Sequence, residues 1–465
     1  MISRPLLRRS CLQRYRLFGP STQRTQSTIS QPSQMVNQLI EEQSLPGNRL
    51  LYFHPTAPDQ ILDGRFKIIS KLGYGSSSTV WLAENLRFQC WRSSSVPRYV
   101  SIKIAALDTD ASREIGNSKL ISEADRSHDG MPYLRLPLET FQLSGPHGTH
   151  SCLVYEPLRE TLSDLQSRFP GGRLPLKMFK LYIFCLLQAL DYLHSSCHLI
   201  HTDIKDDNIM INFEDDAVLK SFVKLQKSSP QQSYTCSLDD RRIYVSSNDF
   251  GPLRGRSLLP QLGDFNLCFP GLVDRGHLSA IQSHRYRAPE VLLGCPWTYS
   301  VDIWNIGLLM WDLVDDVTLF DRPAGDDGEY DAHVHLAQMV SLLGDPPTPV
   351  IERERLCRKD KLQLERPVIN LKGQECNNMN EFWGGPFFDE EGCIMRRDLI
   401  TRDRTLADTV LHLQNEDKKQ FLDFARSMLH WIPEKRSTAK ELMEHPFLKL
   451  PRRDYERYLQ SAGRK

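Results

Sequence analysis

Asp203, Lys205 and Asn208 place an acid, a cation and a neutral oxygen donor within one short stretch, "HTDIKDDNIMIN". Such a set suits the transfer of a phosphoryl group to a hydroxyl, a reaction that asks for positioning and charge neutralisation more than for covalent help. The carboxylate orients the hydroxyl and takes its proton, the ammonium offsets charge on the moving group, and the amide oxygen ligates a hard divalent cation. Asp264, ending an apolar strand in "PQLGDFNLC", supplies a second oxygen ligand. A solvated turn could hold the same polar residues. The apolar runs "CHLI" and "NIMI" on either side favour a rigid, partly buried mount.

A triphosphate would also need a cradle and a second cation. "LGYGSSSTV" offers Gly73 and Gly75, then Ser78 where a third glycine would sit, then Val80. Glycines let backbone close over phosphates without a side chain in the way, although a plain Gly/Ser turn reads the same. Lys103 sits among apolar residues in "VSIKIA", where an unpaired ammonium is costly unless a phosphate and a carboxylate meet it. Glu114 in "SREIGNSKLI" is the candidate carboxylate. A solvent-facing lysine on an edge strand is the other reading.

The elements that must position these groups follow from periodicity. "RFKIISKL" and "TVWLAEN" alternate as a hairpin around the glycine turn, "RYVSIKIAAL" reads as a third strand, and "ASREIGNSKLI" as a helix. From Leu176 the period lengthens: "LKMFKLYIFCLLQALDYLHSS" and "SVDIWNIGLLMWDLVDD" are long helices expected to be apolar on one side. A strand-rich lobe followed by a helical lobe is an α+β arrangement. Asn208 and Asp264 are separated by 55 residues, which predicts an insertion over about 214–258 with a disordered portion.

The 465 residues, 40% hydrophobic, suffice for one large two-lobed unit. Lys+Arg and Asp+Glu each number 58, so net charge hints at neither nucleic acid nor membrane. The 11 cysteines are scattered without a C-x-x-C pair, which suits reduced thiols in an intracellular protein and argues against a zinc site. No run is apolar for long enough to predict a membrane span. Residues 1–40 differ in kind: Arg4, Arg8, Arg9, Arg14, Arg16 and Arg24 precede the first acid, Glu41. A mitochondrial transit peptide and a disordered basic tail both fit. Residues 41–64 read as a linker and 450–465 as a charged tail.

In order along the chain, "LGYGSSSTVWLAE", "SIKI", "IHTDIKDDNIM", "GDFNLC", "RYRAPEVLLG" and "VDIWNIG" resemble a eukaryotic Ser/Thr protein kinase, and within that family the SR-protein kinase branch. The resemblance covers roughly Arg65 to Lys449. It implies a two-lobed kinase fold over 65–449, with a β-rich lobe over 65–155 and a helical lobe over 159–449. It further implies ATP, Mg2+ and a protein substrate, with Arg/Ser-rich proteins as a candidate class, in a monomer of the cytoplasm or nucleus. Carried over residue by residue, Asp203, Lys205 and Ser283 are catalytic, and Asn208 and Asp264 hold the metal. Leu72, Gly73, Gly75, Ser78, Val80, Lys103, Glu114, Glu156 and Leu158 bind the nucleotide. Ser283 matches the hydroxyl that steadies the catalytic Asp in this family.

Where the family's loop carries arginine, this chain has Thr202. That arginine grips a phosphate on the activation segment, so its loss predicts a kinase active without such phosphorylation. Three further departures stand out: Asn266 for a glycine, excused by tolerance of left-handed angles, Asp206-Asp207 for Pro-Glu, and Ser118 at a usually apolar position. A pseudokinase scaffold is the alternative. A small-molecule kinase is disfavoured by "RYRAPE". Acids crowd Asp312, Asp315, Asp316, Asp321, Asp326, Asp327, Glu329 and Asp331 against the single base Arg322, as a surface for basic peptides or as a solvated loop. "RYRAPEVLL" and "WIPEKRSTAKELMEHPF" offer Glu290 and Arg436 as a buried ion pair, and "SVDIWNIG" offers Asp302 as a helix cap or an anchor beneath the catalytic loop.

Overall fold

Phe66 and Ile68 alternate with Lys67 and Ile69, and only the first pair is fully buried, so one face of a strand becomes core. The computed structural model describes residues 40–449 apart from 48, 90–95, 230, 237–240, 255–257, 322, 326–327 and 360–366. The Arg-rich opening segment, residues 1–39, and the tail 450–465 lie outside the described residues.

The described residues pack as two units, one drawn from 40–111, 137–157 and 216–251, the other from 112–136, 158–215 and 252–449. The first is built on a six-stranded antiparallel sheet. Its strands are β1 (Ile61–Leu62), β2 (Phe66–Gly75), β3 (Ser78–Asn85), β4 (Tyr99–Ala105), β5 (Glu139–Gly145) and β6 (Gly148–Tyr155), in the order β1-β2-β3-β4-β6-β5. Ile68, Trp81, Ala83, Ile102, Ile104, Cys152 and Val154 share its core. Ile102 and Ile104 point into that core, so the intervening Lys103 points away from it. Opposite Lys103 stand Val80 of β3 and Leu153 of β6. The lysine is therefore on a central strand, and the edge-strand reading fails.

The insertion belongs to this first unit and is more ordered than its polar composition suggested. It forms a helix, Asp216–Ser228, and a hairpin pairing Ser233–Thr235 with Arg242–Tyr244. Two aromatic contacts fasten it, Phe222 to Phe250 at 4.3 Å and Tyr244 to Trp81 at 5.9 Å.

The second unit is helical. Its helix Leu176–Asp191 buries ten side chains, and the helix Ser300–Asp315 is buried at every residue after the first. The latter was expected to expose one side. It is instead a central helix surrounded by others, as its aromatic neighbours show: Trp311 lies 5.0 Å from Phe421 and Trp304 6.2 Å from Phe320. A buried helix must partner most of its polar residues, and here the Ser300 hydroxyl and the Trp304 indole N–H are the ones left without a hydrogen-bond partner among the described residues. Asn305 donates to Tyr286 O at 2.8 Å and accepts from Gln282 at 3.0 Å, while Asp315 accepts the N–H groups of Leu411 and His412 at 3.0 and 3.1 Å. Among the described residues no helix is long and apolar enough to cross a membrane.

Glu290 and Arg436 form the expected bidentate pair, both N–O distances 2.7 Å, with side chains 2% and 0% exposed. Arg436 also lies 4.9 Å from the ring of Trp304. Replacing Arg436→Met strands a buried carboxylate, so urea unfolding should show a loss of about 3–5 kcal/mol. A loss near zero would mean that Glu290 finds water or another donor.

Candidate active site

The catalytic-loop residues hang from one buried carboxylate. Asp302, 0% exposed, accepts the backbone N–H of His201 on Oδ2 and that of Thr202 on Oδ1, each at 2.8 Å. The ring of His194 meets the same Oδ2 at 2.9 Å. Asp302 is thus an anchor beneath the loop and not a cap of its own helix. Thr202 sits at φ 67°, a costly angle for a β-branched residue, and those bonds hold it there. Its hydroxyl donates to Leu267 O at 2.8 Å, tying the loop to the segment that follows Asp264. The His201 ring bridges the same two segments, Nδ1 accepting from Asp203 N–H at 3.3 Å and Nε2 meeting Gly263 O at 3.0 Å.

On this mount the sequence-predicted groups converge. Lys205 Nζ and Asn208 Nδ2 both reach Asp203 Oδ2, at 2.5 and 3.0 Å. Nδ2 also donates to Asp203 O at 2.8 Å. Both grip Oδ2, so Oδ1 is the carboxylate oxygen left to accept a proton. Both amide hydrogens of Asn208 are likewise committed, so its Oδ1 is the atom left for a cation. Gly263 N–H donates to Asn208 O at 2.9 Å, which brings Asp264 alongside. Asp264 is exposed and in the left-handed region at φ 64°. The positive angle falls on Asp264 and not on Asn266, which lies inside a helical turn, Phe265–Leu267. The backbone at Asn266 therefore demands no glycine, and tolerance of left-handed angles is not what lets asparagine fit. Two hard oxygen donors, Asn208 Oδ1 and the Asp264 carboxylate, fit a Mg2+ whose remaining ligands are phosphate and water.

The helix Ser112–Glu123 packs on this turn. Asn117 donates to Phe265 O at 2.8 Å, and Arg113 donates to Cys268 O at 3.1 Å with its guanidinium 5.2 Å from the Phe269 ring. Glu114 is buried on that helix, as is Ser118, whose hydroxyl finds no hydrogen-bond partner among the described residues. Leu158 is buried in the same unit. Ser283 lies there too, its carbonyl accepting from Tyr286 N at 2.9 Å. Among the described residues its hydroxyl bonds neither Asp203 nor Lys205.

Leu72, Gly73, Gly75, Ser78, Val80, Lys103 and Glu156 belong to the first unit. Gly73 pairs with Val80 and Gly75 with Ser78 across the β2–β3 turn. A Cβ on either glycine would meet nothing within 4 Å, so no contact inside the chain requires glycine there. An occupant lying over the backbone would. Glu156 is exposed, and its carbonyl accepts from Ser101 Oγ at 3.4 Å.

Gln282 and Arg285, which the sequence reading did not single out, join Arg287 of "RYRAPE" in fixing the segment that leads into Ala288. Gln282 donates to Val301 O and Asn305 Oδ1, both at 3.0 Å, and accepts from Ala288 N at 2.8 Å. Arg287 donates to Gln282 O at 3.1 Å and stacks on Trp383 and Tyr330 at 3.9 and 4.4 Å. Arg285 donates to Thr318 Oγ1 at 3.0 Å and faces Asp206 and Asp312 at 3.8 and 3.9 Å. The signal was present in "AIQSHRYRAPE": a glutamine just before a motif already read and two arginines within it, but without a partner visible in sequence.

The acidic run resolves into different roles. Asp312 and Asp315 are buried and structural, and Asp331 caps the helix Ala332–Leu343. Asp316, Asp321 and Glu329 are exposed, and Arg322, Asp326 and Asp327 lie outside the described residues. Burial raises the Asp312 carboxyl to about 6, against the pull of Arg285 and the Tyr286 hydroxyl.

A family model described as protein kinase domain matches residues 66–226 and 257–448. A serine/threonine protein kinase of Aspergillus fumigatus is 32% identical over 439 residues, 94% of this chain and 98% of the relative. The serine/threonine-protein kinase SRPK of Physarum polycephalum is 27% identical over 85% of this chain and 88% of its own. A kinase domain of known crystal structure superposes with a TM-score of 0.58 at 20% identity, covering 86% of this chain and 99% of its own, a likeness of fold.

The Asp312 shift has a sign. A native carboxyl that binds its proton more tightly than the unfolded one contributes stability below the ordinary aspartate range and loses it as pH rises through about 6. Asp312→Asn, uncharged throughout, should therefore gain on the wild type by on the order of 1–3 kcal/mol between pH 4 and pH 7 in urea titrations. A difference independent of pH would show that Asp312 is ionised in the folded protein across that range.

Proposed function

The chain belongs to the protein kinase family, and we propose that it is an active, ATP-dependent kinase of Ser and Thr in proteins, its catalytic domain spanning residues 65–449. One observation carries the reading: Asp203 Oδ2 is held by both Lys205 and Asn208, on a loop fixed to buried Asp302. A scaffold has no use for a carboxylate preset in this way.

The substrate hydroxyl gives its proton to Asp203 Oδ1 as its oxygen bonds to the γ-phosphorus. The bond from that phosphorus to the β–γ bridging oxygen breaks, and ADP leaves with the electron pair. Lys205 offsets charge on the transferring group, and Lys103 meets the phosphates that stay behind. Asn208 Oδ1 and Asp264 would hold Mg2+, which would supply charge neutralisation to the phosphate oxygens. Gln282, Arg285 and Arg287 hold the activation segment through partners within the chain, so activity needs no phosphate there.

Arg/Ser-rich proteins are the proposed substrates, in the cytoplasm or nucleus, with the chain acting as a monomer. The branch resemblance supports this, and so do the exposed acids Asp316, Asp321 and Glu329, a smaller set than the sequence alone suggested.

With γ-labelled ATP and a basic Ser-rich peptide, Asp203→Ala should lower transfer by at least about a thousandfold while nucleotide binding persists. Equal transfer by the variant would assign the chemistry elsewhere, and no transfer by the wild type would leave a scaffold. Phosphatase treatment should leave wild-type turnover unchanged, and a large fall would place a required phosphate on the enzyme. An Arg/Ser-repeat peptide should outpace an acidic one, with a rate that declines steeply as salt rises. Equal rates on both would remove the substrate assignment.

A further inference from the structure

The glycine turn is gripped by a segment that precedes the family match, which begins at residue 66. Arg49 donates through Nη1 to Ser76 O at 2.6 Å, and its Nη2 meets the carboxylate of Asp108, just past β4. Ser77 O accepts from Ala106 N at 2.8 Å and from Thr109 Oγ1 at 3.2 Å. Peptide groups are planar, so pinning two successive carbonyls fixes the directions of the Ser77 and Ser78 N–H groups that lie across them. At the entry to the turn, Lys71 is fully buried against Glu41 and Glu42. Glu41 in turn accepts from Ser246 N and Oγ at 3.0 and 2.7 Å. Gln231 both accepts from Lys71 N and donates to Lys71 O, each at 2.8 Å. Arg241 closes the ring by donating to Leu50 O and Phe53 O at 2.9 and 3.0 Å.

A Gly/Ser stretch has little stiffness of its own and would lose much chain entropy on closing over a triphosphate. Here that ordering is supplied beforehand by residues 40–53 and the insertion. We propose that Arg49 is a positioning residue for nucleotide binding, acting through the Ser76–Ser77 peptide to preset backbone N–H groups for the phosphates, with Asp108 fixing its guanidinium. This rests on the reading that the turn receives ATP. It adds a device outside the matched domain that sets affinity for nucleotide and leaves the chemical step alone.

The measurement is nucleotide affinity of the full chain, by fluorescent ADP binding, beside KM for ATP and kcat. Arg49→Ala should weaken binding and raise KM by about three- to tenfold, as for one net hydrogen bond, with kcat at saturating ATP within about twofold. Arg49→Lys, which keeps the charge but not the fork, should fall between. Asp108→Asn separates positioning from direct charge. If Arg49 acts through the peptide, loosening it weakens nucleotide binding, whereas if Arg49 touches phosphate itself, removing the nearby negative charge tightens binding. Tighter binding in Asp108→Asn, or unchanged affinity in Arg49→Ala, overturns the proposal. So does a fall in kcat with affinity intact. Both residues are partly exposed, 18% and 26%, so the variants should fold, and their melting curves verify it. A wild type that binds nucleotide but transfers nothing sinks the kinase activity without touching this inference, which the binding data judge alone.

Discussion

A single carboxylate, wholly withdrawn from water, sets the catalytic geometry of this protein. Burying a charge is costly unless donors surround it, and Asp302 has two backbone N–H groups and an imidazole. The dependence runs both ways. The loop's strained angle at Thr202 survives because Asp302 holds the two consecutive N–H groups that lead into that Cα, and the carboxylate survives in the core because the loop offers them. Asp203, Lys205 and Asn208 inherit their positions from that exchange. So does Gly263, whose carbonyl meets His201 and whose N–H meets Asn208, placing Asp264.

Against that mount, the change from arginine to Thr202 becomes a rewiring. An arginine at this position would reach outward for a phosphate that arrives by regulation. Threonine turns inward, to Leu267 O, and the activation segment is secured from its other end by a glutamine in the core and by stacked guanidinium groups. Neutral hydrogen bonds and cation–π contacts are always present, whereas a phosphate is conditional.

Most of the fold was legible in the sequence because the periods are clean: alternation in "FKIIS" and "SIKIA", and long apolar repeats from Leu176 and from Ser300. The site was legible where short-range spacing carries the chemistry, as in Asp203, Lys205 and Asn208, which lie within one loop. What could not be read was partnership at a distance. Nothing local marks Gln282 as the partner of Asn305, or Asp312 as buried among Tyr286, Thr318 and Arg285. In a stretch of acids, the structural ones and the solvated ones look alike. Asn266 misled for a related reason: the family's glycine suggested a demanding backbone angle, and the angle sits two residues earlier. The insertion misled by composition, since it folds as a helix whose Phe222 packs on Phe250 and a hairpin whose Tyr244 packs on Trp81.

The sheet unit is assembled from three separate stretches of chain, the last ending at residue 251. Lys71 and Gln231, joined by a pair of hydrogen bonds, stand 160 positions apart. A ribosome delivers these pieces in order, so the strands emerge long before the helix and hairpin that finish them, while the catalytic loop is made in between. Contacts of such span are slow to form and leave the sheet without its covering helix and hairpin meanwhile. The birth of this protein therefore has a built-in delay: its β half must wait, unfinished, until the loop of its other half has already been synthesised.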